Sequence, residues 1–190
     1  HVWDGGVVTK EPTPAEKGVK TYTCKRCKTT KAEEIPALGA PKVGTKLTSD
    51  DGKAIYKVTK SHLKKGTVSF VAPKNKKKTT VTIPATVKID GVTYKVTAIE
   101  KNAFKNNKKI KSVTIGKNVE KIGTKAFYGC TKLKTLTIKT TKLTKKKIGS
   151  KAFSKTPKSM KVKAPKKKIS AYKKILRAKG VHKNVKFKKL

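Results

Sequence analysis

Acidic residues and arginines are scarce in this sequence. Ten aspartates and glutamates stand against 51 lysines and arginines, which gives a formal net charge of +41 over 190 residues. A field of that sign attracts polyanions of every kind, although lysines that merely coat a solvated face explain the charge equally well. Only Arg26 and Arg177 supply the guanidinium groups that read nucleic-acid bases, and aromatic residues for base stacking make up 6% of the chain. A specific nucleic-acid-binding module is therefore not expected.

Long apolar segments and a signal peptide are also missing. No stretch approaches the roughly 18 consecutive apolar residues that a membrane span needs. No N-terminal segment has the pattern of a signal peptide, and the chain begins at His1 rather than at methionine. We therefore expect a mature or excised piece of a longer protein. Three cysteines, Cys24, Cys27 and Cys130, are too few for a disulfide-stapled fold.

Groups for acid–base catalysis are sparse as well. The three histidines, His1, His62 and His182, are far apart in the sequence, and residues 121–190 contain no acidic side chain. His62 lies in the turn-like segment KSHLKKG, where an isolated histidine is usually solvated. The C-terminal part of the chain thus offers no pair of carboxylates that could act as general acid and base. The sequence predicts that the chain is not an enzyme.

Two nearly identical heptapeptides, KIGTKAF at 121–127 and KIGSKAF at 147–153, reveal a repeated unit. Aligning the apolar residues places unit starts at Val81, Val113, Leu136 and, in degraded form, Met160. The last three starts are 23 and 24 residues apart, a spacing typical of leucine-rich repeats, and DGVTYKV lengthens the first unit. Each unit opens with an alternating stretch such as VTI, which predicts a short strand with one buried face.

The other positions of the unit predict apolar columns. An isoleucine precedes the phenylalanine of an Ala-Phe pair by five residues, as in Ile99 to Phe104, Ile122 to Phe127 and Ile148 to Phe153. One unit cannot bury these side chains alone, whereas stacked units bury one another's side chains in a continuous core. Extra residues at Lys145 to Lys147, and Pro157 in place of an apolar residue, indicate that the array ends there.

The pattern VTIxxxVxxIGxxAFxxCxxLxxLTI resembles the BspA-like leucine-rich repeat family, and the resemblance covers residues 81–160. It implies a β-rich repeat solenoid in a bacterial protein that is secreted or displayed at the cell surface. It also implies that Cys130 fills a slot for a small buried residue. We therefore expect a core thiol at this position rather than a reactive or catalytic one.

A repeat stack needs a cap at each end, because its terminal units expose apolar faces. Residues 161–190 predict a C-terminal cap with a short amphipathic helix that ends near Gly180, then a last strand through Val185 and Phe187. The helical spacing is carried by Ile169, Tyr172, Ile175 and Leu176. A helix that lies on a membrane surface is the alternative. Residues 41–80 predict the strands of an N-terminal β-hairpin cap. Alternating stretches over residues 43–98, with Asp51-Gly52 and Asp90-Gly91 as turn dipeptides, predict a small antiparallel unit that covers the first repeat.

Residues 1–40 differ in composition from the rest and predict a separate small β module. They resemble a short module that occurs in tandem in similar bacterial surface proteins, with a His-x-Trp opening and a YTCxxC core. Cys24 and Cys27 have the spacing at which two thiolates share one tetrahedral ion, and His1 is a candidate third zinc ligand. No fourth ligand is evident, since Ala40 stands where similar modules often continue with His. We favour a Cys24–Cys27 disulfide or free thiols over zinc and expect no cofactor.

Together these features favour a non-enzymatic, basic leucine-rich repeat protein, secreted or at the cell surface, that binds a partner through an extended strand face. The candidate face comprises the outward residues Thr82, Thr114, Thr137 and Lys161. The family resemblance implies adhesion to a host or bacterial surface protein, while the lysines favour an anionic glycan or cell-wall polymer. The alternative is a cell-wall-anchoring or accessory region of a larger secreted enzyme.

Overall fold

The structure, a computed structural model, describes residues 1–190 and is dominated by short β-strands. The strands are β1 (Val7–Lys10), β2 (Gly18–Thr23), β3 (Thr30–Ile35), β4 (Lys46–Thr48), β5 (Ala54–Lys60), β6 (Thr67–Pro73), β7 (Thr80–Ile83), β8 (Thr86–Ile89), β9 (Val92–Ile99), β10 (Ser112–Ile115), β11 (Lys121–Ile122), β12 (Thr135–Ile138), β13 (Lys161–Ala164) and β14 (Lys186–Lys189). One helix, α1, spans Ile169–Ala178, and 3₁₀ turns span Lys145–Lys147 and Lys166–Lys168. A β-dominated repeat fold with one short helix near the C-terminus is confirmed.

The N-terminal strands β1, β2 and β3 form a three-stranded antiparallel sheet. Its side chains are mostly exposed. Within residues 1–40 only Pro14, Gly18 and Cys24 are buried. A sheet with so small an apolar interior gains little stability from hydrophobic burial.

The next strands form a second sheet, in the order β11-β9-β6-β5-β4, with β8 paired to β9. β8 and β9 form the hairpin expected at Asp90-Gly91, whose positive φ angles of 48° and 76° suit a tight two-residue turn. The expected small antiparallel unit is correct for β4, β5 and β6 but wrong for β6 and β9, which pair in parallel. The reason is that β7, which follows β6 in the chain, belongs to another sheet. The chain crosses over through β7 and comes back as β9, which runs parallel to β6.

A third sheet is the parallel ladder β7-β10-β12-β13-β14. Its inward positions pair in register and are buried or half-buried: Val81, Val113, Leu136, Val162 and Phe187 form one row. A second parallel ladder runs through the heptapeptides, since β11 pairs with β9 and Ile122 bridges to Ile148. Corresponding residues of successive units therefore lie directly beside one another.

Four phenylalanine rings form a continuous stack through the core. Phe70, Phe104, Phe127 and Phe153 have centroid separations of 5.3, 5.1 and 5.2 Å and interplanar angles of 12°, 9° and 6°. Backbone bonds tie the turns together at the same level, because Phe104 N–H donates to Ala126 O at 2.7 Å and Phe127 N–H to Ala152 O at 2.8 Å. Phe70 comes from β6, outside the aligned repeats, so the stack extends one ring further than the repeat pattern predicts.

The extra residues at Lys145 to Lys147 fold as a 3₁₀ turn that loops outward without buried side chains. Their effect on register corrects the fourth unit start, which is Val162 rather than Met160, because Leu136 pairs with Val162. Met160 instead precedes the strand, and it is fully buried. Its N–H donates to Pro157 O as Leu133 N–H donates to Cys130 O. Met160 therefore takes the place of Leu133 in the core of the last unit.

Helix α1 lies against the last turns of the repeats and ends before Gly180, whose φ is 105°. Tyr172 and Leu176 are buried, as their helical spacing predicts. The Tyr172 hydroxyl donates to Thr140 O at 2.9 Å and accepts from Leu143 N–H at 3.3 Å. The helix thus satisfies backbone groups of a preceding loop while it covers apolar surface.

Candidate functional site

The outward face of the parallel ladder carries two rows of polar side chains in register. One row contains Thr82, Thr114, Thr137, Lys163 and Lys188, and the other contains Thr80, Ser112, Thr135, Lys161 and Lys186. The rows follow from the period of two, because the residues between them point into the core. The result is one surface with hydroxyl groups on its first three strands and amino groups on its last two.

The sequence-predicted site residues fall on this face with one change of register. Thr82, Thr114 and Thr137 share a row, but the next position in that row belongs to Lys163, and Lys161 pairs with Thr135 in the neighbouring row. The displacement by two residues is the same one that moves the unit start from Met160 to Val162. It leaves Lys161 on the predicted face.

Three lysines of the face are missing from the sequence prediction: Lys163, Lys186 and Lys188. The signal that could have found the last two is the alternation of KFKK at 186–189, which copies KVKA at 161–164. The four residues Lys161, Lys163, Lys186 and Lys188 are all exposed, and we call them the lysine patch.

The lysine patch places like charges next to one another. Lys161 pairs with Lys186 and Lys163 with Lys188 on adjacent strands, which lie about 4.8 Å apart, and alternate residues of a strand are about 6.6 Å apart. None of the structure's seven ion pairs involves these lysines. Like charges directly opposite each other destabilise a sheet, and a bound anion would relieve that repulsion.

The two glutamates that lie among the repeats are already bound to lysines. Glu120 accepts hydrogen bonds from Lys142 and Lys147 at 3.1 Å each, and these bonds hold its pKa below the usual value. Burial opposes ionisation of Glu100, but hydrogen bonds from Lys57 and Ser69 outweigh it, so the pKa of this carboxyl is also lowered. Both groups are ionised near neutral pH, where a general acid would have to hold a proton.

A groove of about 570 Å³ lies beside β7, at the first edge of the ladder, and includes Thr80 and Thr82 in its wall. Its two carboxylates serve the local turns. Asp50 accepts from the N–H groups of Asp90 and Gly91, whereas a hydrogen bond from Ser49 lowers the pKa of Asp51 to about 2. The groove thus extends the polar face, and Asp51 is not a candidate proton donor near neutral pH.

Cys130 lies in the core, as the family resemblance implies. Its side chain is fully buried, its Sγ donates to Phe104 O at 3.1 Å, and burial raises the pKa of the thiol to about 12. At neutral pH the group is therefore protonated and out of contact with solvent.

We expect iodoacetamide at neutral pH to modify exposed Cys27 in the folded chain and to leave Cys130 unmodified, because alkylation needs an accessible thiolate. Peptide mass spectrometry before and after addition of denaturant measures this difference. Cys27 is the internal control, and Cys130 should react only in denaturant. Equal rates at both residues in the folded chain would show that Cys130 is not a core thiol.

The N-terminal candidates His1, Cys24 and Cys27 come together at one end of the three-stranded sheet. Their ligating atoms all lie within 4.8 Å of one another, and His1 Nδ1 is 3.1 Å from Cys27 Sγ. Cys24 is buried, whereas His1 and Cys27 are exposed. All three cysteines of the chain are free thiols in the structure, and for Cys24 and Cys27 free thiols are one of the two forms, disulfide or free thiols, that the sequence favours over zinc.

The other two histidines act within local turns. His62 Nδ1 accepts the N–H groups of Lys64 and Lys65 at 3.0 Å each, and His182 Nδ1 accepts that of Asn184 at 3.1 Å. These bonds give each imidazole a structural role.

The repeats are similar to a known family. Residues 97–189 match the family model described as BspA type Leucine rich repeat region, in six copies. The match includes residues 161–189, for which the sequence predicts a C-terminal cap. No curated protein matches the chain. None of the helices is long and apolar enough to cross a membrane.

Several solved structures are similar to this chain. A leucine rich cell surface protein from Faecalibacterium prausnitzii is 21% identical with a TM-score of 0.42, and the match covers 79% of this chain and 38% of that one. A leucine-rich repeat protein from Bacteroides ovatus is 22% identical with a TM-score of 0.43, covering 60% and 37% of the two chains. A leucine rich repeat protein from T. pallidum is 20% identical with a TM-score of 0.36, covering 70% and 65%. The chain thus spans less than half the length of the first two.

Proposed function

Because the chain carries a BspA-type leucine-rich repeat region over residues 97–189, we propose that it is a non-enzymatic binding protein, secreted or displayed at a bacterial cell surface. Its parallel-strand face is the binding surface, and its repeats form a short solenoid. Helix α1 caps the C-terminal end of the solenoid, and β4, β5 and β6 cap the other end. The stacked phenylalanines and the in-register strands support this architecture.

The ligand that this face fits best is a linear polymer with regularly spaced negative charges. The observation that carries the proposal is the pair of cross-strand lysine neighbours on β13 and β14, which have no carboxylate partner. Sulfate, carboxylate or phosphate groups of a surface polymer would neutralise the lysine patch with charge-assisted hydrogen bonds. The hydroxyl groups of Thr82, Thr114 and Thr137 would then meet uncharged parts of the same polymer.

The experiment compares binding of a sulfated glycan and a glycerol-phosphate teichoic acid to the wild-type chain and to a variant with all four patch lysines changed to glutamine. We expect the variant to lose affinity about 100-fold, since exposed charge pairs contribute roughly 0.2–1 kcal/mol each and about 1.4 kcal/mol is tenfold. The slope of log K against log salt should also fall by about 3, because each lysine that meets a polymer charge releases close to one counterion.

A matched control removes the same charge elsewhere. Lys64, Lys65, Lys76 and Lys77 are exposed in the loops on either side of β6, and their change to glutamine should leave most of the affinity. Equal losses in both variants would show that net charge, rather than the patch, drives binding. Fibronectin and DNA complete the panel. If only fibronectin binds, and its binding resists salt, the result would favour adhesion to proteins. If the glycan, the teichoic acid and DNA all bind equally, the result would contradict a specific surface ligand.

A further inference from the structure

Strand pairing at the N-terminus delivers a histidine to the two cysteines of the Cys-x-x-Cys turn. Trp3 forms an antiparallel bridge with Cys24, and Lys25 N–H donates to Val2 O at 2.8 Å. When the antiparallel pairing is continued from Trp3 by two residues toward the N-terminus, His1 lies beside the turn. The position of His1 is therefore set by backbone hydrogen bonds.

Backbone hydrogen bonds hold the Cys-x-x-Cys turn in shape. Cys24 N–H donates to Thr29 O at 2.8 Å and Lys28 N–H to Cys24 O at 3.0 Å, which brings both thiols to the same side. Lys28 has a positive φ of 63°, as the tight turn requires. The backbone N–H groups of Cys27 and Arg26 also donate to the Cys24 sulfur, and such outer hydrogen bonds orient a thiol that binds a metal.

The groups around the two exposed ligands also orient them. The His1 ring lies 5.1 Å from the Trp3 ring, centroid to centroid, at an interplanar angle of 31°. Thr29 Oγ1 is 2.6 Å from Cys27 Sγ, close enough for a hydrogen bond to the sulfur. Such outer contacts position first-sphere ligands and tune their basicity in metal sites.

The distances suit one small tetrahedral ion. With metal–sulfur bonds of about 2.3 Å and metal–nitrogen bonds of about 2.0 Å, tetrahedral ligand atoms lie roughly 3.5–3.8 Å apart. The three atoms here lie within 4.8 Å of one another, so small side-chain rotations complete the geometry.

The stability of the N-terminal sheet gives an independent reason for a bound ion. Its three buried residues are a proline, a glycine and Cys24, so hydrophobic burial supplies little of the free energy that orders the sheet. Small domains without an adequate core usually depend on disulfides or metals. A metal that joins His1 to the Cys24 turn would fix the two segments that pair at Trp3.

We propose that His1, Cys24 and Cys27 bind one Zn²⁺ ion through Nδ1 and two thiolates, with water in the fourth position. Binding of Zn²⁺ to the reduced chain releases the two thiol protons to solvent and changes no oxidation state. Two thiolates neutralise the divalent ion, so the site adds no net charge to a chain that is already strongly basic.

The test uses the full 190-residue chain, reduced and free of any histidine tag. Zn²⁺ is titrated in competition with a chromophoric chelator, and native mass spectrometry counts the ions. We expect one ion per chain. Cys24→Ser and Cys27→Ser should each weaken binding about 100-fold or more and His1→Ala about 10- to 100-fold, since even outer-shell changes cost 10–100-fold. His62→Ala and His182→Ala are the matched controls and should bind as the wild-type chain does.

A second measurement does not depend on variants that fold. Co²⁺ added to the reduced wild-type chain should give thiolate-to-metal charge-transfer bands and the intense visible bands of a tetrahedral ion. Acetylation of the α-amino group should leave both signals unchanged, because the site uses only the imidazole of His1. Absence of stoichiometric binding after reduction, octahedral Co²⁺ bands, or binding that survives both Cys→Ser changes would overturn the proposal. Binding unaffected by His1→Ala would overturn the role of His1.

Discussion

Replacing Phe127 with alanine should lower the free energy of unfolding by about 3–5 kcal/mol, the range typical of a large aromatic removed from a core. Phe127 is fully buried and is the third of the four stacked rings. The substitution leaves a cavity between Phe104 and Phe153, and neither neighbour can close it without breaking the backbone bonds that set the spacing of the units. Domain stabilities are roughly 5–15 kcal/mol, so a large part of the total would be lost.

Urea unfolding followed by circular dichroism measures this effect, and two further variants separate its causes. Phe187→Ala deletes the same atoms at a half-buried position on β14 and should lose much less. Phe127→Leu keeps most of the volume and should lose less than Phe127→Ala, because the cavity is smaller while the aromatic stacking, roughly 0.5–1.5 kcal/mol per pair, is gone. If Phe127→Ala and Phe187→Ala lose the same amount, the ring stack does not organise the core.

The repeat could be predicted from the sequence because each unit repeats the same inward positions. The Ile and Phe columns of the heptapeptides lie where their spacing places them. Phe70 could not be found in this way, since it belongs to β6 and joins the stack through the parallel pairing of β6 with β9. Which strands become neighbours depends on the crossover through β7, and local alternation carries no information about it.

The candidate sites also have parts that the residue spacing predicts and parts that depend on which strands pair. The alternation in β7, β10 and β12 predicts outward threonines, but the lysine patch requires the register of β13 and the presence of β14 beside it. Met160 stands where a repeat has a leucine, so alignment of the apolar residues starts the fourth unit two residues too early. The predicted row therefore contains Lys161 where the structure has Lys163. At the N-terminus, Cys-x-x-Cys spacing suggests a knuckle, whereas the approach of His1 follows from the bridge between Trp3 and Cys24. Long-range pairing, which spacing alone does not encode, therefore decides both sites.

The glycine of the heptapeptide is the most demanding position for close approach between units. A Cβ atom on Gly149 would lie 2.3 Å from Thr124 N and 2.6 Å from Thr124 Cα, and both are backbone atoms that cannot rotate away. Gly149 N–H also donates to Ile122 O at 2.8 Å, so relief of the clash breaks the bond that holds the two units together. Gly149→Ala should lower the free energy of unfolding by about 1–3 kcal/mol. Loss of unfolded-chain entropy, which favours alanine by about 0.4–1 kcal/mol, offsets only part of this loss.

The first unit shows that glycine is required at this position only where two heptapeptide turns stack on each other. The equivalent position there is Glu100, whose N–H donates to Phe70 O at 2.9 Å just as Gly149 N–H donates to Ile122 O. Its neighbour is β6 rather than another heptapeptide turn, so a side chain fits and reaches Ser69 and Lys57. Gly5→Ala is the matched control, because a Cβ atom there meets nothing within 4 Å and its φ is not positive. Thermal and urea unfolding should show loss of stability for Gly149→Ala and none for Gly5→Ala. Equal behaviour of the two variants would mean that the repeats are not packed at the observed distance.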